Sequence, residues 1–251
     1  MRTRTWMMTA VDKEEAGEMG VAPTIEPAHT GMKVRAALNA CPLFERIEDE
    51  LVVRLADASQ LKRLHRGEIL FLQGDRSSEL YIVAAGRIRL YRTSPEGAEK
   101  TLAVLSDGDV FGDLSAIDGL GRSAAAEAMT DSQVVLVRAR PFMMCVDESP
   151  TLAMRLIKRL AEMLRETDES LDLLAFADAR TRIASALLKS STQSGRVTEL
   201  THRDIAAIAS TARETVSRVI ADLIDSGVLG VDGRDYCILN LQALKDLVSN
   251  R

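Results

Sequence analysis

Four polar side chains early in one amphipathic run carry the clearest chemical signal in the chain: Arg213, Glu214, Ser217 and Arg218 in Arg213-Glu-Thr-Val-Ser-Arg218. A guanidinium can donate two parallel hydrogen bonds to guanine, and a carboxylate can accept from a cytosine amino group. Val216, Val219 and Ile220 recur at helical spacing, so they form a buried stripe and leave the four polar residues on the other face. Ile205 and Ile208 form a second stripe just upstream. Each run has a start signal, Thr201 three residues before Asp204 and Thr211 three before Glu214, both close to capping-box form. Two short helices joined by a tight turn make a helix-turn-helix, which presents such residues to base edges in the major groove. Thr211 belongs to the same face, and His202 is expected to contact DNA phosphate or cap locally.

A second constellation lies in Gly108-Asp-Val-Phe-Gly-Asp-Leu-Ser-Ala-Ile-Asp-Gly-Leu-Gly-Arg-Ser-Ala-Ala125. Gly112, Asp113 and Leu114 open a short helical stretch whose first backbone N–H groups can face an anion. Arg122 returns after a glycine-rich turn and can fork onto a phosphate, with Ser123 adding a hydroxyl. Asp113 can accept from a ribose hydroxyl. An arginine after a glycine-rich turn is by itself an ordinary surface residue, and it is the whole cassette that makes it a ligand candidate.

The elements that would position these groups can be read from periodicity. Residues from about 33 to 58 form an amphipathic helical region interrupted at Pro42. From Leu61 to about Arg140, short apolar stretches (69–72, 80–83, 87–91, 101–105 and 134–137) alternate with Gly67, Gly74, Gly86, Gly97 and Gly108, which predicts an antiparallel roll or sandwich. Residues from about 150 to 177 form one long helix. Its Ile157, Leu160, Leu164, Thr167, Leu171 and Leu174 follow the three-four spacing of a dimeric coiled-coil seam. Asp178 is a natural hinge and cap for a helix starting near Ala179, followed by the loop 190–195. After the helix-turn-helix, residues 228–239 predict a hairpin turning at Asp232-Gly233, which would form a wing. The boundaries are an arm over 1–30, a roll over 31–148, a dimerisation helix over 149–177 and a winged helix-turn-helix over 178–251, an α+β organisation.

Composition narrows the function classes. The 251 residues are 46% apolar, enough for two cores, and no apolar run reaches the roughly 18 residues of a membrane span. Without a basic-then-apolar leader pattern, the expected location is cytoplasmic. Cys41, Cys145 and Cys237 are isolated, and His29, His65 and His202 are scattered, so no metal, haem or iron–sulfur site is expected. The net charge of −5 does not exclude nucleic acid, because Arg203, Arg213 and Arg218 concentrate charge locally. No nucleophile, acid–base pair or metal-ligand cluster points to an enzyme.

The two motifs, in this order and with a seam helix between them, make the chain resemble the Crp/Fnr family of bacterial transcription regulators over roughly residues 38–240. The resemblance implies a cyclic-nucleotide-binding β-roll and a homodimer through residues 150–177. It implies a cyclic purine nucleotide effector, cAMP or cGMP, held by Gly112, Asp113, Leu114, Arg122 and Ser123. Thr167 would reach the purine amino group from the seam, with Asp168 beside it. Arg213, Glu214 and Arg218 would read a TGTGA-like half-site, with paired half-sites about 34 Å apart on a palindrome. RNA polymerase is the further partner implied, although the loop 190–195 is short. Asp113 stands where cAMP-binding members usually carry Glu. That leaves open a pocket without cyclic-mononucleotide control, one for cyclic di-GMP, or regulation by a partner. Ser210 stands where the turn usually carries Gly, which fits if its backbone is not strongly left-handed.

Overall fold

The computed structural model describes residues 30–192, 194–198 and 200–249, and the arm 1–30 lies outside it apart from Thr30. The amphipathic N-terminal region forms α1 (Thr30–Ala40) and α2 (Asp49–Asp57), with a 3-10 turn over Pro42–Phe44 between them. Proline at a first helical position loses no hydrogen bond, so Pro42 restarts the chain in a new direction.

Eight strands follow: β1 (Ser59–Leu64), β2 (Ile69–Phe71), β3 (Glu79–Ala85), β4 (Ile88–Thr93), β5 (Glu99–Leu105), β6 (Val110–Phe111), β7 (Ala125–Ala128) and β8 (Ser132–Arg138). They make two antiparallel sheets, ordered β1-β8-β3-β6 and β2-β7-β4-β5. The strand stretches read from sequence all appear, and β1, β6 and β7 are added. β7 reads Ala-Ala-Glu-Ala, a composition with little strand propensity, and it is held as a strand by antiparallel pairing between β2 and β4.

The alternation of side chains across β3 and β8 explains the two cores of the roll. Leu80, Ile82, Val135 and Val137 pack against α1, α2 and the helix α4 (Ala139–Glu148). Tyr81, Val83 and Val134 point the other way and meet Ile88, Phe111, Ala126 and Ala128 between the sheets. A strand buried on both faces reads as a continuous apolar run, as Leu80-Tyr-Ile-Val83 does.

The long helix α5 (Pro150–Phe176) spans 27 residues and matches the sequence reading closely. Ser149 caps it, accepting from the Leu152 N–H and donating to Glu48. Leu152 and Leu156 anchor it in the roll's helical core. The seam residues face away: Ile157, Leu164 and Leu171 are 57%, 62% and 58% exposed.

Asp178 accepts from the Thr181 N–H at 2.7 Å and caps α6 (Ala179–Lys189). The C-terminal unit continues with β9 (Arg196–Val197), α7 (His202–Ala209), α8 (Arg213–Asp225), β10 (Leu229–Asp232), β11 (Asp235–Ile238) and α9 (Leu241–Ser249). Its core gathers Ile183, Leu187, Ile205, Val216, Ile220, Leu223 and Leu244. The hairpin pairs Asp232 with Asp235, so the two turn residues are Gly233 and Arg234, one position later than the sequence reading. Gly233, at φ +65°, takes the left-handed position that such a turn requires.

Candidate ligand cavity and nucleic-acid interface

The capping box expected at Thr201 is complete. Thr201 Oγ1 accepts from the Asp204 N–H, and the Asp204 carboxylate accepts from the Thr201 N–H at 2.8 Å. The second expected box does not form. Ala212 takes the extended N-cap conformation of α8, which puts Glu214 one position too early to reciprocate with Thr211. Thr211 instead closes α7, its N–H bonding the Ala206 carbonyl at 3.0 Å. Ser210 is left-handed, with φ +49° and ψ +56°, against the milder geometry expected for a non-glycine residue. That conformation costs on the order of 1–2 kcal/mol. The Arg182 guanidinium braces the turn from α6, donating to the Ala209 carbonyl at 2.9 Å.

Arg213, Glu214 and Arg218 project from the first turns of α8, all exposed and with no ion pair among the described residues. They are the free, side-by-side donors and acceptor that base reading needs. Ser217 and His202 are placed differently. Ser217 is half-buried, and both ring nitrogens of His202 are engaged inside the domain, Nδ1 with Ser217 Oγ at 2.8 Å and Nε2 with Tyr236 Oη at 2.7 Å.

In the roll, the cassette folds as the sequence suggests, with α3 (Asp113–Asp118) opened by Gly112 at φ +72°. A side chain at Gly112 would also displace Arg122: its Cβ would lie 2.3 Å from an Arg122 nitrogen. Arg122 is buried. It donates to the Gly112 carbonyl at 2.9 Å and to Ser115 Oγ at 2.7 Å, and also bonds Ser77. Its guanidinium lies 4.2 Å from the Phe71 ring centroid and 5.3 Å from that of Tyr81. Tyr81 stacks on Phe111 at 5.2 Å, so three of the chain's few aromatic residues gather here. Burial lowers the Arg122 pKa, and nearby Tyr81 and Glu79 act in the opposite sense. Arg122 Nε finds no partner among the described residues, an unmet donor in a buried cation.

Asp113 is also buried, and it is already paired. Arg159, on α5, donates from Nε to the Asp113 carboxylate at 2.8 Å and also bonds the Val110 carbonyl. Sequence reasoning missed this pair. The available signal was register: Arg159 continues the stripe of Leu152 and Leu156, so a cation there sits where an apolar side chain would otherwise be buried.

A cavity of about 600 Å³ opens over the cassette. Gly112, Asp113, Leu114, Arg122 and Ser123 all line it, as does Arg159. Thr167 and Asp168 do not. Both are exposed, and the Thr167 hydroxyl donates to the Met163 carbonyl of its own helix at 2.8 Å, which supplies the partner that a hydroxyl in an apolar seam requires. Glu162, Glu166 and Glu169 form the α5 wall instead. The far wall comes from the C-terminal unit: Lys189, Ser190 and Ile208. That unit is docked on the roll by Lys100, which donates to the Ile208 carbonyl at 2.7 Å, and by Arg87, which bonds Thr198 twice at 2.8 Å. Burial lowers the Lys100 pKa, reinforced by Arg182 and Lys189.

These features agree with comparisons to known proteins. Residues 61–149 match the cyclic nucleotide-binding domain, and residues 181–247 match the Crp-like helix-turn-helix domain. The chain is 39% identical to the cyclic AMP receptor protein of Thermus thermophilus over 193 residues, 76% of this chain and 89% of that one. It is 30% identical to the CRP-like cAMP-activated global transcriptional regulator of Mycobacterium tuberculosis over 210 residues, 80% and 94% of the two chains. Among solved structures, FixK2 from Bradyrhizobium japonicum superposes with a TM-score of 0.70 at 27% identity, covering 75% of this chain and 96% of that one. With a buried arginine beside the cassette in one unit and a helix-turn-helix in the other, the chain belongs to the Crp/Fnr family, as a DNA-binding transcription regulator that carries a cyclic-nucleotide-binding domain.

Proposed function

We propose that the protein works in the cytoplasm as a homodimer joined along residues 150–177, is gated by a cyclic purine nucleotide, and reads a palindrome of TGTGA-like half-sites. The units are those of the sequence reading: a roll over 31–148, a dimerisation helix over 149–177 and a DNA-binding unit over 178–251, with Asp178 as the hinge. The observation that carries the gating is the buried Arg122 with an unmet Nε donor beside a cavity wide enough for a nucleotide. A phosphate there would satisfy the charge-assisted donor, and Ser123 would add a hydroxyl. α3 has only six residues, so its dipole adds little and Arg122 is the main attraction for an anion. Asp113 can accept from the sugar hydroxyl only by sharing its carboxylate with Arg159.

The dimer reading is supported by the exposed stripe of Ile157, Leu164 and Leu171, which a second α5 would bury. Thr167 and Asp168 lie along that seam, where they would reach a ligand held by the other protomer. Arg213, Glu214 and Arg218 would contact bases, Thr211 would approach the backbone, and RNA polymerase is the further partner proposed. The curated relatives named for cAMP make cAMP the first nucleotide to test.

Fluorescence anisotropy on a TGTGA-N6-TCACA duplex at one stated salt concentration, with and without cAMP or cGMP, tests the whole reading, since phosphate contacts depend steeply on salt. Tight binding only with nucleotide, lost in Arg122→Ala, is expected. Equal binding in every condition would keep the DNA site and move control to cyclic di-GMP or a partner protein. The engagement of Asp113 by Arg159 favours this second reading.

A further inference from the structure

Three elements of the DNA-binding unit meet through one line of hydrogen bonds. Ser217 Oγ, on α8, lies 3.1 Å from the Arg213 carbonyl, 2.8 Å from His202 Nδ1 at the start of α7, and the other ring nitrogen of His202 lies 2.7 Å from Tyr236 Oη on β11. The contact between Ser217 and the Arg213 carbonyl favours one placement of the protons in this line. If the Ser217 hydroxyl proton points to the Arg213 carbonyl, Ser217 Oγ faces His202 as an acceptor. In that arrangement Nδ1 of His202 carries the ring proton. A neutral imidazole has one N–H, which leaves Nε2 as a lone pair, and the Tyr236 hydroxyl donates to it. With the protons so placed the line runs from Tyr236 to His202 to Ser217 to the Arg213 carbonyl, with every group satisfied. The His202 and Tyr236 rings are also nearly parallel, 13° apart with centroids at 6.2 Å.

We propose that this line is a buckle that fixes the angle between the recognition helix and the wing. His202 is a positioning residue held in the Nδ1–H tautomer, and Ser217 serves the buckle rather than a base. The proposal rests on α8 being the base-contacting helix, and it deepens that reading. Arg213 and Arg218 need a fixed helix orientation to place bidentate donors on a base edge, whereas phosphate contacts tolerate a few degrees of rotation. Loosening the buckle should therefore cost specific binding and spare non-specific binding.

The test has two parts. The first is the tautomer of His202 in the full-length wild-type protein, read from long-range 15N–1H correlations of labelled histidine and assigned with His202→Gln. Nδ1 protonated and Nε2 unprotonated is expected, and the opposite tautomer overturns the proposal whether or not DNA binds. The second is DNA affinity at fixed salt for Tyr236→Phe, Ser217→Ala and the double variant. Tyr236→Phe keeps the ring and removes only the donor. Each single change is expected to weaken cognate binding about threefold to tenfold, the value of one ordinary hydrogen bond, with scrambled DNA unaffected. The double variant should be no worse than either single, because one line is broken only once. Additive losses, equal losses on scrambled DNA, or a loss in Ser217→Ala alone would overturn the buckle, the last making Ser217 a direct DNA contact. If wild-type protein shows no sequence preference at all, the reading of α8 fails, and the tautomer still decides whether the line runs in the proposed direction.

Discussion

The pair between Arg159 and Asp113 makes a prediction whose size can be worked from its surroundings. Asp113's side chain is 4% exposed and Arg159's 28%, and the donor–acceptor distance is 2.8 Å. Two unit charges about 4 Å apart at an effective dielectric near 20 attract by roughly 4 kcal/mol. Arg159 remains partly wet, and solvent screening and desolvation of the carboxylate remove about half of that, leaving a coupling of about 2 kcal/mol. Arg159→Gln strands a buried carboxylate without its cation and should destabilise the roll by about 3 kcal/mol. Asp113→Asn removes the charge but keeps the shape, and should cost about 1–2 kcal/mol. The double variant should then fall short of the summed losses by the coupling energy. Urea unfolding at fixed protein concentration reads this directly. With an m-value of about 2 kcal/mol/M, Arg159→Gln should lower the midpoint by roughly 1.5 M. Single losses that add to within about 0.5 kcal/mol would show that the two groups do not interact, and would refute the inference that α5 holds the cassette by this pair.

Ser210→Gly should stabilise the DNA-binding unit by about 1 kcal/mol, because glycine enters the left-handed region without the Cβ penalty; a destabilised variant in thermal unfolding would mean that the Ser210 side chain contributes more than its backbone strain. Arg218→Ala should cost about 1–3 kcal/mol on the cognate duplex and flatten discrimination between base pairs, and an equal loss on scrambled DNA would reassign it to phosphate. Burial pushes the Cys41 thiol up to about 11, so in native protein at pH 8 Cys237 should alkylate well before Cys41, with peptide mapping as the readout.

How far the sequence could be read follows from what each signal depends on. The recognition helix, the long seam helix and the strand Leu80–Val83 were legible because their apolar periods are local and strong. The strand Ala125–Ala128 was not, because alanine reports nothing about a pleated surface; its partners on β2 and β4 decide it. The candidate cassette residues Gly112, Asp113, Leu114, Arg122 and Ser123 line one cavity, as their spacing suggested. Their state was hidden, since Arg159 is 46 residues from Asp113 and Phe71 is far from Arg122 in sequence. Sequence separation also hid the contacts of His202, which meets Ser217 only when α7 packs on α8 and Tyr236 only when β11 folds back on α7. Of the helix starts, those at Thr201 and Asp178 were legible and that of α8 was not: Thr211 and Glu214 have the right spacing, but the backbone at Ala212 sets the cap.

The shared wall of the cavity has a thermodynamic consequence. Lys189, Ser190 and Ile208 belong to the unit that carries the helix-turn-helix, while Arg122 and Asp113 belong to the roll. Any displacement of the C-terminal unit would therefore change the shape of the space that the proposed ligand would occupy. Linkage then runs both ways: whatever factor the ligand applies to operator affinity, the operator must apply to ligand affinity. An operator that prefers the displaced arrangement becomes an effector in its own right. Sites of different strength along a chromosome would then respond at different concentrations of the same small molecule.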